Sequence, residues 1–427
     1  MHILIVLSYF MERYQTKDVF GIQRDVPLNY IERSVDDVFK DALDRRHHVV
    51  IFGSSKQGKT CLRKRNLNEE DYIVVHCDNK MDLYSVNINI LKKAGFTIQM
   101  SDTKTFKGRS KVKVGFGWNL FGSANINAET EEEKSNKQES KPIELDPEDV
   151  NDVIDALKSL DFKKYIIIED FHYLKDETQV DFAVELKAFH ENSDLTFIVV
   201  GVWLEENRLI ALNGDLAGRI KSVNADEWKS SDLDQIIEDG QDLLNILISK
   251  AHRSYLIEKS LNNVYILQEV CYQLCKINNI DETQDERFEL NCDDLDTIIS
   301  EVINQHSGRY NSLILNISEG FQATELEMHK WIMYVILITE IEKLDGGLKR
   351  SEINTLLQAH HPRKELLNPG NLTQALKSIT SLQVRKNTIP IIIDYDGSNL
   401  KLNVVDKGFL IWLTNQNRDE LVQQLGI

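Results

Sequence analysis

At 427 residues the chain is long enough for two to three domains of roughly 150 residues each, with a sizeable core in every one. With 42% hydrophobic residues and only 6 prolines and 20 glycines, it is neither collagen-like nor largely disordered. Its net charge of −18 repels nucleic acid and anionic membrane, so any DNA contact must come from a local basic patch.

The chain opens on an apolar run, His2 to Phe10, that is too short to cross a bilayer and lacks the cationic flank of a signal peptide. Met11 offers an alternative start, which would make residues 1–10 an upstream extension. No later run approaches transmembrane length, so a soluble, cytoplasmic protein without a membrane role is expected. The five cysteines, Cys61, Cys77, Cys271, Cys275 and Cys292, are odd in number and lack zinc spacing. Cys271 and Cys275 share a helix face, but no second ligand pair follows them. Reduced core thiols are the expectation, as in a reducing compartment.

Further along, Ser34 to Arg45 reads as a helix, with Val35, Val38, Phe39 and Ala42 at helical spacing. Short β-rich runs follow at 49–52, 72–77, 165–168, 196–200 and 220–225. Helical patterns at 83–94, 147–160 and 177–190 separate them. Such alternation implies an α/β fold with a parallel sheet covered on both faces. Residues 101 to about 145 break the rhythm. A basic stretch (Lys104, Lys107, Arg109, Lys111, Lys113) precedes the alternating run Val112–Trp118 and an acidic run at Glu129, Glu131, Glu132 and Glu133. We read a mobile insertion with a β-hairpin, its charge blocks solvated. From 226 the strands stop. Helices at 230–247, 254–259 and 264–277 form a helical lid. The tail reads as a winged helix: helices at 327–343, 350–360 and 371–383, then a hairpin from Ile389 to Val405 turning at Asp396-Gly397.

The sequence Gly53-Ser54-Ser55-Lys56-Gln57-Gly58-Lys59-Thr60 matches G-x-x-x-x-G-K-[ST] in full, after a buried strand and before a helix opened by Cys61. Each residue type serves phosphate. Glycines let backbone amides turn inward around the oxygens. The helix N-terminus adds a positive dipole end. Lys59 supplies a cation for the β and γ phosphates, and the Thr60 hydroxyl a ligand for Mg²⁺. ATP with Mg²⁺ is the expected cofactor pair. The third strand of the core delivers Glu169 and Asp170 at its end, as a Walker B strand does. By position, Glu169 falls near the metal and its waters and Asp170 polarises the attacking water; the opposite assignment stays open. Arg219, just before the fifth strand, is placed to reach a neighbour's γ-phosphate in an oligomer. Asn207, after the fourth strand, is a polar sensor candidate, and no lid arginine stands between Val264 and Leu274.

Together these residues resemble the AAA+ and STAND P-loop ATPases, near the origin-recognition initiators. Pro27-Leu-Asn-Tyr-Ile-Glu-Arg33, a helix and then the P-loop look like their entry box, which implies that Tyr30, Ile31 and Arg33 lie near the adenine. The resemblance spans residues 26–427 apart from the insertion. It implies a tail at 1–25, an ATPase core at 26–225 interrupted at 101–145, a lid at 226–305 and a winged-helix domain at 306–427. The Glu-Asp order, where the family commonly shows Asp-Glu, and the missing lid arginine depart from the pattern and point to slow hydrolysis. Bacterial relatives of this type act in mobile elements or antiviral defence beside a separate effector. In the helix 371–383, Thr373, Gln374 and Lys377 fall on a polar face opposite Leu372, Ala375, Leu376 and Ile379, as in a recognition helix. Three readings follow: a switch controlling a partner protein, an ATP-dependent DNA-binding initiator, and a nucleotide-bound scaffold with negligible turnover. An ATP-dependent homo-oligomer is expected.

Overall fold

The computed structural model of the protein describes residues 12–21, 25–105, 108–116, 143–321 and 324–427. The apolar start at residues 2–10, Met11, Lys107 and the acidic run at 129–133 lie outside them. The chain divides into two compact units, one of residues 38–52 and 67–223, the other of the described residues up to Asp37, Gly53–Asn66 and Asn224–Ile427.

The first unit holds strands β1 (His48–Phe52), β2 (Tyr72–His76), β3 (Phe96–Lys104), β4 (Ser110–Phe116), β5 (Ile143–Leu145), β6 (Tyr165–Glu169) and β7 (Phe197–Val200), together with most of β8 (Ile220–Asn224). The main sheet has the order β2-β6-β7-β1-β8, and the pairs β2/β6, β6/β7 and β1/β7 are parallel. β1 and β7 are buried along their whole length, which is what an apolar strand covered on both faces requires. Between the strands run the helices Leu83–Ala94, Val150–Ser159 and Asp176–Asn192. Asp82 and Asp149 cap two of them by accepting backbone N–H bonds, and Gly95 ends the first in a left-handed turn. The core gathers Phe52, Ile166, Ile168, Phe171, Phe182, Phe197 and Trp203. The expected hairpin is present as β3 and β4, joined by β5 into a small antiparallel sheet.

The second unit is mostly helical. Helices Ser230–Leu244, Lys250–Lys259 and Val264–Ile277 stand where the lid is read, and a short ladder joins β9 (Ile246–Leu247) to β10 (Phe288–Glu289). Residues 12–20, assigned to a tail, pack into this unit: Val19 and Phe20 are fully buried and Thr16 bonds the backbone of Asp281. The winged-helix order follows: Met328–Ile338, Ile341–Gly346, β11 (Leu348–Lys349), Arg350–His360, Pro369–Lys377, Ile379–Arg385, β12 (Ile393–Asp396) and β13 (Lys401–Val404). The strands pair antiparallel as β11-β13-β12. Two helices read as single are each broken. Thr339 takes extended backbone and its hydroxyl donates back to Val335; Ser378 donates back to Ala375. Such local bonds compete with the helix ladder. One continuous core runs from Phe20 through Leu274 and Leu313 to Trp331, Phe409 and Trp412. Among the described residues no helix is long and apolar enough to cross a membrane.

Candidate functional site

The segment after β1 is shaped by its glycines. Gly53 has φ +138°, and a Cβ there would sit 2.5 Å from the Asp226 carboxylate, so only glycine fits. Gly58 has φ +84°, where a Cβ would lie 3.8 Å from the Trp228 ring, and Lys56 also takes a positive φ of 63°. Asp226 then fastens the loop: it accepts from the Ser54 amide at 2.7 and 2.9 Å and from the Ser54 hydroxyl at 2.6 Å. The Ser55 amide donates to the Val405 carbonyl at 2.8 Å, and the Gln57 side chain accepts from the Val264 amide. Lys59 opens the helix Lys59–Asn66 and folds its ammonium back onto the Gly53 and Ser54 carbonyls, 3.0 Å from the former. Thr60 is exposed in the first turn of that helix. The loop thus combines glycine-dependent backbone, whose Ser54 and Ser55 amides rest on Asp226 and Val405, with a cation resting on its own carbonyls, groups that an incoming polyphosphate could take over.

Beside the loop lies a cavity of about 250 Å³ lined by Tyr30, Ile31, Arg33, Lys56, Gly58 and Cys61. All of these were read from the sequence as site residues. The volume is sufficient for a purine ring. Arg33 is buried and stacks on Trp228 at 3.6 Å, while its Nη1 donates to the Ala225 and Glu227 carbonyls. Burial lowers its pKa, and its Nε is a buried donor without an acceptor. Tyr30 donates to Asp36 at 2.7 Å. Burial raises the Cys61 thiol.

Pro27 and Asn29, inside the segment read as the entry box, also line it, and sequence reasoning missed Gly21, Asp25, Trp228, Ile236, Val264, Tyr265 and Gln268 of the wall as well as Asp226. The Lys56 ammonium lies 3.7 Å over the Tyr265 ring and 3.1 Å from His306. Burial, then the nearby Arg309, push Lys56 down to about 8; burial, then Lys56 and Arg309, push His306 down to about 4. Arg309 itself pairs with Asp406.

In the sheet unit, Glu169 is buried at the C-terminal end of β6, in register with His76 of β2. Its carbonyl accepts from the Cys77 amide at 2.9 Å. Asp170 follows with φ +60°, an uncommon conformation for a non-glycine residue, and lies 4.0 Å from His76. β1 and β6 run the same way, both being parallel to β7, so Glu169 stands at the same C-terminal end of the sheet as Phe52 of β1. Arg219 is held within the chain: it pairs with Glu191 at 2.7 Å and donates to the Asp215 carbonyl. Asn207 is exposed and begins the helix Arg208–Leu212. Cys271, Cys275 and Cys292 are buried free thiols.

On the winged helix, Gln374 and Lys377 are exposed while Thr373 accepts from Arg350 at 2.8 Å. Basic residues elsewhere in this region are paired, Arg363 with Glu325 and Lys386 with Glu319.

No protein-family model matches the sequence, and no curated protein matches it. Solved structures do. The Walker-type ATPase PabY2304 of Pyrococcus abyssi aligns over 93% of this chain and 99% of its own, with 12% identity and a TM-score of 0.50. The Orc1 protein of Aeropyrum pernix, solved in complex with DNA, aligns over 97% and 98% with 9% identity and a TM-score of 0.41. Cdc6p of Pyrobaculum aerophilum aligns over 96% and 98% with 10% identity and a TM-score of 0.39. The first likeness shows a shared fold over 93% of this chain; the other two carry no argument of their own.

Proposed function

We propose that this chain, built on the fold of a Walker-type ATPase, binds ATP with Mg²⁺ and acts as a slow ATPase switch controlling a partner protein. One observation carries the reading. A complete phosphate-loop sequence in glycine-dependent backbone and a base-sized cavity meet within one unit and share Lys56, Gly58 and Cys61. Residues Gly53 to Cys61 would cradle the phosphates, with Lys59 leaving its loop carbonyls for the β and γ oxygens. Thr60 and Glu169 would hold Mg²⁺ together with phosphate oxygens and water, a donor set that fits this hard cation. The metal supplies neutralisation of the developing phosphate charge. Asp170 would accept the proton of the attacking water, with Glu169 and Asp170 exchanging roles as the alternative.

Phosphate release tests the catalytic half. The full-length chain with ATP and Mg²⁺ is expected to release phosphate slowly, and chelation of the metal to stop it. ATP binding without any release above buffer would leave a nucleotide-bound scaffold. The partner is read as a separate effector, of the kind found in mobile-element or antiviral defence.

A second reading, DNA binding through the winged helix, draws on the exposed Gln374 and Lys377. Lys377→Glu should then lower the salt slope of DNA affinity by about one unit, read by mobility shift at several salt concentrations. No binding by the wild-type chain at low salt with ATP present excludes it.

A further inference from the structure

We propose that the amide pair Asn29–Gln268 reads the six-position edge of the purine and selects a 6-amino over a 6-oxo base; the inference rests on the nucleotide reading of this cavity. Both side chains line it, and both are buried, with 1% and 7% of their surface exposed. Their buried amides must find partners. They find them chiefly in each other. Asn29 Nδ2 donates to Gln268 Oε1 at 3.2 Å, and Gln268 Nε2 donates to Asn29 Oδ1 at 2.9 Å. Asn29 Nδ2 also donates to the Ile236 carbonyl at 3.2 Å.

That third bond fixes the orientation of the whole pair. A backbone carbonyl only accepts, so Asn29 cannot rotate its oxygen toward Ile236 without setting oxygen against oxygen. Gln268 cannot then rotate either, because both of its bonds to Asn29 would become like against like. Both amide hydrogens of Asn29 are consumed, and one hydrogen of Gln268 is. What remains is a single Gln268 N–H and a spare lone pair on each oxygen. The pair is therefore richer in acceptors than in donors, and it cannot invert.

A 6-amino purine meets this pattern. Its exocyclic amino group donates where a fixed amide oxygen accepts, and a ring nitrogen takes the remaining Gln268 N–H. A 6-oxo purine held in the same position sets its oxygen against that amide oxygen and, at N1, a ring N–H against the remaining Gln268 N–H, so both contacts become like against like, which is where a hydrogen-bonding site discriminates most strongly. The Arg33 Nε, the other unmet group of the wall, rewards any ring nitrogen or oxygen and adds affinity without choosing among purines.

Calorimetric titration of the full-length chain with ATP and with ITP, in Mg²⁺, tests the proposal. The two ligands differ at the six-position edge. The wild-type chain is expected to bind ATP at least about tenfold more tightly than ITP. Gln268→Leu and, as a gentler change, Gln268→Met should bring the ratio close to one, mainly through weaker ATP binding. Both ligands are titrated into one preparation, so partial misfolding cancels from the ratio. Equal affinity of the wild-type chain for the two, or an unchanged ratio in both variants, overturns the role of the amide pair. A wild-type chain that binds neither nucleotide refutes the nucleotide reading itself.

Discussion

In the loop that follows β1, named protein groups already occupy much of what a phosphate would use. Lys59 rests on two loop carbonyls, the Ser54 amide on Asp226 and the Ser55 amide on Val405. The acid pair at the end of β6 differs. Its geometry is set by backbone, with Glu169 in sheet register and Asp170 in a left-handed turn with a half-exposed side chain. Occupying the loop therefore means exchanging protein partners for ligand, whereas the acids require little rearrangement of their own strand. A variant at Asp170 should change rate and spare ATP affinity. Variants at the loop should change affinity first.

The largest effect is expected at Arg219, which belongs to neither region and which we propose acts on the site of a neighbouring subunit. Arg219→Ala should lower turnover about 10³-fold or more if it acts in trans as an arginine finger. Mixing it with Lys59→Ala chains should restore activity, since each supplies what the other lacks. Activity independent of protein concentration, without rescue on mixing, would leave Arg219 as the partner of Glu191 alone.

Next comes the acid side of the contrast. Asp170→Asn should retain ATP affinity while losing about 10²-fold or more in turnover, because an amide cannot take the proton. Asparagine tolerates the left-handed backbone that position 170 adopts, so the change isolates charge from strain. Wild-type turnover in this variant would reverse the roles of the two acids.

A smaller effect is expected on the loop side. His306 faces Lys56, Tyr265 and Arg309 and is pushed down to about 4 by burial and those cations. The unfolded chain takes up this proton at an ordinary pKa of roughly 6.5. Stability from the neutral ring is therefore full above that value and is lost as pH falls toward 4. The melting temperature of the wild-type chain should drop more steeply over that interval than that of His306→Gln. Parallel curves would contradict the assignment.

What was legible in the sequence was local. The P-loop is contiguous, and β1, β6 and β7 are short apolar runs whose burial follows from composition, whereas β2 and β8 are only partly buried. The helices Leu83–Ala94, Val264–Ile277 and Arg350–His360 fall where periodicity placed them. The partners of the site were not legible, because they come from distant positions. Asp226 lies 172 residues from Ser54, and Gln268 lies 239 from Asn29. Neither has a motif that marks it. The helix Lys407–Thr414 went unread because its run from Phe409 to Leu413 is buried throughout and shows no polar face. The splits at Thr339 and Ser378 were missed because a hydroxyl bonding back one turn leaves no trace in hydrophobic spacing.

The central claim is that the loop after β1 binds ATP through Lys59, and calorimetric titration of wild-type and Lys59→Ala chains with ATP and Mg²⁺ tests it most directly. The wild-type chain is expected to bind one ATP. The variant should melt like wild type in the absence of nucleotide but bind at least about a hundredfold more weakly, the scale of a lost charge-assisted contact to phosphate. Unchanged affinity in a folded Lys59→Ala chain would contradict the account.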